Sequence, residues 1–210
     1  MTSKQALTEK LNKMGLNVLY ERIIEDLISN HYALVDGFFD EDTCRGLNKL
    51  LRQKMKQGIL EKAGIGNKSN HLKNDAIRSD KIAWIDNHSI DVFEQAFIQQ
   101  MNSFSLYLNN TCYTGIQDSE FHYACFEKGA FYKKHIDRFN NDNKRKFSVV
   151  TYLNKHRKAS HGGALILYTE KGEINILPEW GRTIIFKSDL LEHEVLVSTK
   201  DRLSITGWLK

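Results

Sequence analysis

Arg202-Leu203-Ser204-Ile205-Thr206-Gly207-Trp208-Leu209 reads as one extended strand near the C-terminus. On such a chain Arg202, Ser204, Thr206 and Trp208 share one face, and Leu203, Ile205, Gly207 and Leu209 share the other. An arginine aimed into a core is costly unless an anion meets it. Either an acid on another strand pairs with Arg202, or the pocket holds an anionic ligand that Ser204 and Thr206 help to line.

The chain ahead of this strand has the same texture. Short strand-like runs occupy 121–127, 131–136, 146–153, 164–168, 173–177, 182–187 and 193–197. Turn residues separate several of them, notably Gly162-Gly163, Lys171-Gly172 and Pro178-Glu179-Trp180-Gly181. Strands of this length and number, preceded by helices, predict a mainly β fold: a small barrel or jelly roll with helices packed on one face.

The N-terminal half reads differently. Leu7, Leu11, Met14, Val18, Ile23, Ile24, Leu27 and Ile28 predict helical segments with one buried stripe, interrupted near Gly15. Ala33-Leu34-Val35 predicts a short strand. Asp40 is placed to cap a helix that carries Cys44, Leu47, Leu51 and Met55 on one face. The Gly-, Lys- and Asn-rich stretch 58–73 predicts a mobile loop, and 77–85 a strand. Phe93, Phe97, Met101, Phe104 and Leu108 recur at helical spacing, which is a core stripe rather than a cofactor box. No linker or repeat divides the chain. The expected organisation is an N-terminal helical segment, 1–32, and a single domain, 33–210, whose β core spans about 120–210.

Composition narrows the function. Of the 210 residues 41% are hydrophobic and 27% charged, which is ordinary for a globular protein. The net charge of +4 is dispersed, with no compact basic stripe, so nucleic acid is not an expected partner. Cys44, Cys112 and Cys125 show no CxxC spacing, which excludes a zinc knuckle and a disulfide framework. No run approaches a membrane span and the first residues lack an apolar leader, so the expected setting is a reducing cytoplasm.

His135-Ile136-Asp137, followed by His193, is the constellation with chemistry in it. On a strand His135 and Asp137 project from the same face, supplying two neighbouring ligands of different hardness. Fifty-five residues then intervene before His193, room for several strands to fold a third ligand back. Two imidazoles and one carboxylate suit Fe(II), holding one face of its octahedron and leaving three positions open. Arg202, nine residues beyond His193, is placed to grip a distal carboxylate of a cosubstrate. That combination points to oxidation of an unactivated C–H bond driven by decarboxylation of 2-oxoglutarate.

The stretches Phe131–Phe139, Tyr152–Lys155, Gly162–Leu165, His193–Val195 and Arg202–Trp208 resemble the prolyl 4-hydroxylase-type branch of the Fe(II)/2-oxoglutarate oxygenases, most closely bacterial relatives of the oxygen-sensing prolyl hydroxylases. Ile77–Trp84 extends the likeness upstream. The resemblance implies a double-stranded β-helix with His135, Asp137 and His193 as iron ligands. It further implies Arg202 and Tyr152 on the distal carboxylate of 2-oxoglutarate, Thr206 close by and Trp208 lining the pocket. Tyr132, Arg78 and Arg145 match positions at the substrate mouth, and 58–73 matches a substrate-covering loop. Phe126 stands where the branch often has a tyrosine, so one phenol hydrogen bond to the cosubstrate is absent. The implied reaction hydroxylates a prolyl residue in a loop of a protein substrate, with O2 as second cosubstrate, succinate and CO2 as coproducts and ascorbate as reductant. The implied enzyme is a monomer or weak dimer. An oxygenase of free amino acids or other small molecules, and a non-catalytic cupin-like binding module, are the alternatives.

Overall fold

The structure, a computed structural model, describes residues 3–64, 74, 76–137 and 144–210, with backbone alone for 3–13. Most of the segment matched to a substrate-covering loop, 65–73, lies outside the described residues. Two β-sheets face each other, and three helices cover the outer side of the larger one. In chain order the elements begin α1 (Ser3–Asn30), β1 (Tyr32–Val35), α2 (Glu41–Lys56), β2 (Glu61–Lys62), β3 (Lys81–Trp84) and α3 (Val92–Cys112). The strands β4 (Ser119–Phe126), β5 (Tyr132–His135), β6 (Phe147–Tyr152), β7 (Leu165–Thr169), β8 (Gly172–Ile176), β9 (Thr183–Lys187), β10 (Glu192–Val195) and β11 (Arg202–Leu209) complete it. The large sheet runs β1-β9-β6-β11-β4-β3-β2 and the small one β5-β10-β7-β8, antiparallel throughout. This is the double-stranded β-helix architecture, mainly β with N-terminal helices.

Strand alternation divides the protein into two cores. From β11, Leu203, Ile205 and Leu209 pack outward with Phe121, Tyr123 and Cys125 of β4 against the helices, meeting Leu47, Leu51, Phe97, Met101 and Phe104. Ala124, Phe126, Val150, Tyr152, Ile184 and Phe186 point inward and meet Leu165, Leu167 and Val195 of the small sheet. Gly207 is forced by the first core: a methyl group there would collide with the Glu120 carbonyl and the Phe121 side chain. Gly207→Ala should destabilise by about 1–3 kcal/mol. A thermal melt should show that loss as a drop of about 2–4 °C per kcal/mol.

Both later helices start as their sequences require. The Asp40 carboxylate accepts from Thr43 N at 2.7 Å, and the Asp91 carboxylate from Phe93 N at 2.8 Å and Glu94 N at 3.1 Å. Three expectations need correction. First, α1 runs unbroken through Gly15; a helical glycine costs only about 1 kcal/mol, and the surrounding turns outweigh it. Among its described side chains Tyr20, Ile23, Ile24 and Leu27 are buried, whereas Met14, Val18 and Ile28 are exposed. Second, 77–85 is not one strand, because the chain changes sheets inside it. Ser79 N donates to Phe131 O and Lys133 N to Ile77 O, beside β5, and only from Lys81 does the chain pair with β4. Third, the stretch from Gly58 is not all loop, since Glu61 and Lys62 pair with β3. Among the described residues no helix is long and apolar enough to cross a membrane.

Candidate active site

The facing sheets leave a chamber of roughly 480 Å³, open mouth included. His193 on β10 lies directly opposite His135, the last residue of β5. Asp137 follows two residues later, just past the strand end rather than on it. His135 Nδ1 lies 2.6 Å from the Lys133 carbonyl and His193 Nδ1 3.2 Å from that of Leu191. With each Nδ1–H donating there, both Nε2 lone pairs are free to ligate. His135 Nε2 is 3.5 Å from Asp137 Oδ1, and His193 Nε2 is 3.6 Å from Asp137 Oδ2. Tyr132 stacks on His135 at 3.6 Å between ring centroids, and the Phe186 ring meets His193 edge-on at 4.7 Å.

Protonation supports ligation. Burial above all, with His135 adding to it, pushes the His193 imidazole down to about 4 against the pull of Asp137, so its ring is neutral. Burial opposes the charge on Asp137, yet the two histidines and Ser148 together hold its carboxyl well below the usual carboxylate range. The Ser148 hydroxyl donates to Asp137 Oδ2 at 2.6 Å, and Ser188 Oγ stands 2.8 Å behind it. Two imidazole nitrogens and one carboxylate oxygen converging in a largely buried place fit a first-row divalent ion, with 3.5–3.6 Å between each Nε2 and the carboxylate oxygen facing it.

The second end of the chamber is cationic. Arg202 is 1% exposed, and among the described residues no carboxylate lies within ion-pair distance of it. Its Nη1 donates to Ser204 Oγ at 3.2 Å. The guanidinium lies 4.9 Å from the ring centroids of both Phe126 and Tyr152, and neither its Nε nor the Tyr152 hydroxyl has a partner. Burial raises the Tyr152 phenol and Arg202 partly offsets this, so the hydroxyl keeps its proton. The alternative of an internal ion pair for Arg202 is thus not what the structure contains. Gly163 permits this packing: at φ +67°, a Cβ there would lie 2.7 Å from Ser198 Oγ and 3.1 Å from Arg202 Cδ.

On the chamber wall Arg78 forms a two-pronged contact with buried Asp80, Nε to Oδ1 at 2.8 Å and Nη2 to Oδ2 at 2.7 Å, and its guanidinium covers the Tyr132 ring at 4.3 Å. Thr206 and Trp208 line the chamber. Arg145 does not: it stacks behind Trp208 at 3.4 Å while donating to Glu120 and to the Asp137 carbonyl.

Sequence reasoning passed over His122, Ser148 and Arg157. Arg157 Nη1 and Nη2 donate to the carbonyls of His161, Gly162, Lys200 and Asp201 and to Ser198 Oγ, tying together the two loops that flank Arg202. His122 occupies an inward position of β4, and a polar residue between Phe121 and Tyr123 was the available signal. Burial first, then the neighbouring Arg78, push its imidazole down to about 3 from the ordinary 6.5. Between those two values the unfolded chain takes up a proton that the folded protein refuses, so stability falls as pH falls through the window. Urea unfolding at pH 7 and pH 5 should show the loss, and His122→Leu should lessen it.

Similarity to known proteins agrees with this geometry. Residues 121–210 match the model of the 2OG-Fe(II) oxygenase superfamily. A Pseudomonas putida prolyl-4-hydroxylase is 30% identical, over 91% of this chain and 98% of that one, with a TM-score of 0.83. A prolyl hydroxylase from Trichoplax adhaerens, solved with a hypoxia inducible factor peptide, shares the fold at 24% identity, over 95% of this chain and 92% of that one, with a TM-score of 0.85. With the His-Asp-His cluster at one end of the chamber and, at the other, a buried arginine that no described carboxylate pairs, these matches lead to one conclusion: the chain belongs to the 2OG-Fe(II) oxygenase superfamily, in its prolyl 4-hydroxylase-type branch, and is a 2-oxoglutarate-dependent dioxygenase.

Proposed function

We propose that this enzyme hydroxylates a prolyl residue of a protein substrate, converting 2-oxoglutarate and O2 into succinate and CO2 as one oxygen atom enters the C–H bond. His135, Asp137 and His193 would hold Fe(II), and Arg202, helped by the Tyr152 hydroxyl, would anchor the distal carboxylate of 2-oxoglutarate. When bound, the ferrous ion supplies the redox chemistry that couples decarboxylation to C–H oxidation. The chain supplies the rest. The Lys133 and Leu191 carbonyls fix the imidazole rings, and Ser148 fixes the carboxylate. Thr206, Trp208, Arg78 and Tyr132 line the same chamber; the first two would flank the cosubstrate, and the last two would meet an entering peptide.

The observation that carries this reading is the buried Arg202 guanidinium, unpaired by any described carboxylate in a chamber that also holds His135, Asp137 and His193. A dicarboxylate satisfies that charge; a zinc hydrolase would have no use for it. Likeness to the Pseudomonas putida prolyl-4-hydroxylase supports the prolyl substrate. Free thiols at Cys44, Cys112 and Cys125 accord with a reducing cytoplasm, where ascorbate would serve as reductant.

The test joins spectroscopy and mass spectrometry. Under anaerobic conditions Fe(II) with 2-oxoglutarate should give a weak visible charge-transfer band, and its absence at saturation would refute both anchors. In air, proline-containing peptides should gain the mass of one oxygen as succinate forms. If only free amino acids gain it, the protein substrate is wrong and the oxygenase stands. Ser148→Ala should weaken Fe(II) binding by about 10–100-fold, the usual cost of losing an outer-shell partner. Competition with a coloured chelator would measure it.

A further inference from the structure

Three buried polar atoms on one wall of the chamber have no partner. His122 is 2% exposed and Trp208 7%; neither ring nitrogen of His122 nor the Trp208 indole Nε1 makes a hydrogen bond. The two rings lie 5.6 Å apart, and Trp84 closes the other side of His122 at 4.9 Å. Both line the chamber together with Arg78, Asp80 and Tyr132. Sheet register fixes the place: His122 pairs with Thr206, whereas Phe126 pairs with Arg202 four residues earlier on β11. At about 3.3 Å per residue this puts the His122 backbone some 13 Å along the sheet from that of the arginine.

A buried donor or acceptor left unpaired is costly. Three such atoms on one wall are a cost that an apolar side chain in place of His122 would largely remove. The chemistry they offer is specific. The imidazole is neutral, so it presents one donor and one acceptor, and the indole adds a donor. Two donors and one acceptor complement a secondary amide, whose carbonyl accepts and whose N–H donates. A carboxylate would leave the imidazole acceptor idle, and a hydrocarbon would leave all three atoms unpaired.

We propose that His122 and the Trp208 indole N–H form an amide-recognising subsite, which binds a backbone peptide group next to the residue being oxidised. This rests on the reading of the enzyme as an oxygenase of protein residues and adds how the peptide is recognised.

The probes are N-acetyl amino acid methylamides, proline among them, each paired with its methyl ester, in which oxygen replaces the amide N–H. In the zinc-substituted protein saturated with 2-oxoglutarate, long-range proton–nitrogen correlation should show the His122 ring signals moving with the amide and not with the ester. With Fe(II) in air, the wild type should favour amide over ester about tenfold in probe-stimulated succinate, as expected for one hydrogen bond. His122→Leu should erase that preference, and His122→Gln, which keeps a donor and an acceptor, should restore part of it. Affinity for 2-oxoglutarate, read from the anaerobic band, should stay unchanged in both. The inference is overturned if His122→Leu keeps the amide preference, if it weakens 2-oxoglutarate binding instead, or if no probe moves the His122 signals. Turnover of a non-prolyl amide alone, lost in His122→Leu, would uphold the subsite and refute the prolyl substrate. Equal turnover of prolyl amides by wild type and His122→Leu would do the reverse.

Discussion

Asp137→Ala should reduce substrate-coupled succinate formation to background. The carboxylate is the single anion among the three clustered donors, and Ser148 Oγ and both imidazole Nε2 atoms are oriented around it. Loss of an outer-shell partner already costs about 10–100-fold in metal affinity or activity. Loss of the charge itself removes an attraction that the two imidazole rings cannot replace. The fold should survive, because the charge carries a burial cost and alanine leaves the strand pairing of β5 and β10 intact. The check is succinate release with and without peptide, beside a melt of the metal-free protein. Near-wild-type turnover in a folded variant would remove Asp137 from the metal centre.

Arg202→Ala should act on the cosubstrate rather than on the metal. Breaking a buried, hydrogen-bonded charge pair costs about 2–5 kcal/mol, at least about thirtyfold in affinity. The concentration of 2-oxoglutarate giving half-maximal band intensity should rise accordingly, while Fe(II) affinity stays near that of the wild type. In the ligand-free protein the substitution should cost little stability, since an unpaired buried guanidinium is itself unfavourable. An unchanged 2-oxoglutarate affinity would leave Arg202 without the role assigned to it.

Much of this was legible in the sequence, for physical reasons. A strand buried on both faces but carrying arginine on one declares a polar chamber, and the alternation of 202–209 put Arg202, Thr206 and Trp208 on its wall. His135 and Asp137 were readable because a single intervening residue keeps them together even though the strand ends between them. What stayed hidden depends on register between distant segments. Ser148 reaches Asp137 only because β6 lies beside β9 and β11, and His122 faces the chamber only because β4 pairs with β11 as it does. The sheet change near Ser79 was equally hidden, since the run 77–85 has strand composition throughout and its partners on β4 and beside β5 lie far along the sequence.

The unpaired charge of Arg202 also bears on how long the protein lasts in a cell. A fold that keeps a guanidinium in its interior with no carboxylate of the described residues beside it is completed by its ligand, and mass action then ties folding to ligand supply. At a 2-oxoglutarate concentration one hundred times its dissociation constant, that linkage adds about 2.7 kcal/mol to the folded state. Abundance of the enzyme would then follow the central metabolite it consumes, rising when carbon skeletons are plentiful and falling through proteolysis when they are scarce.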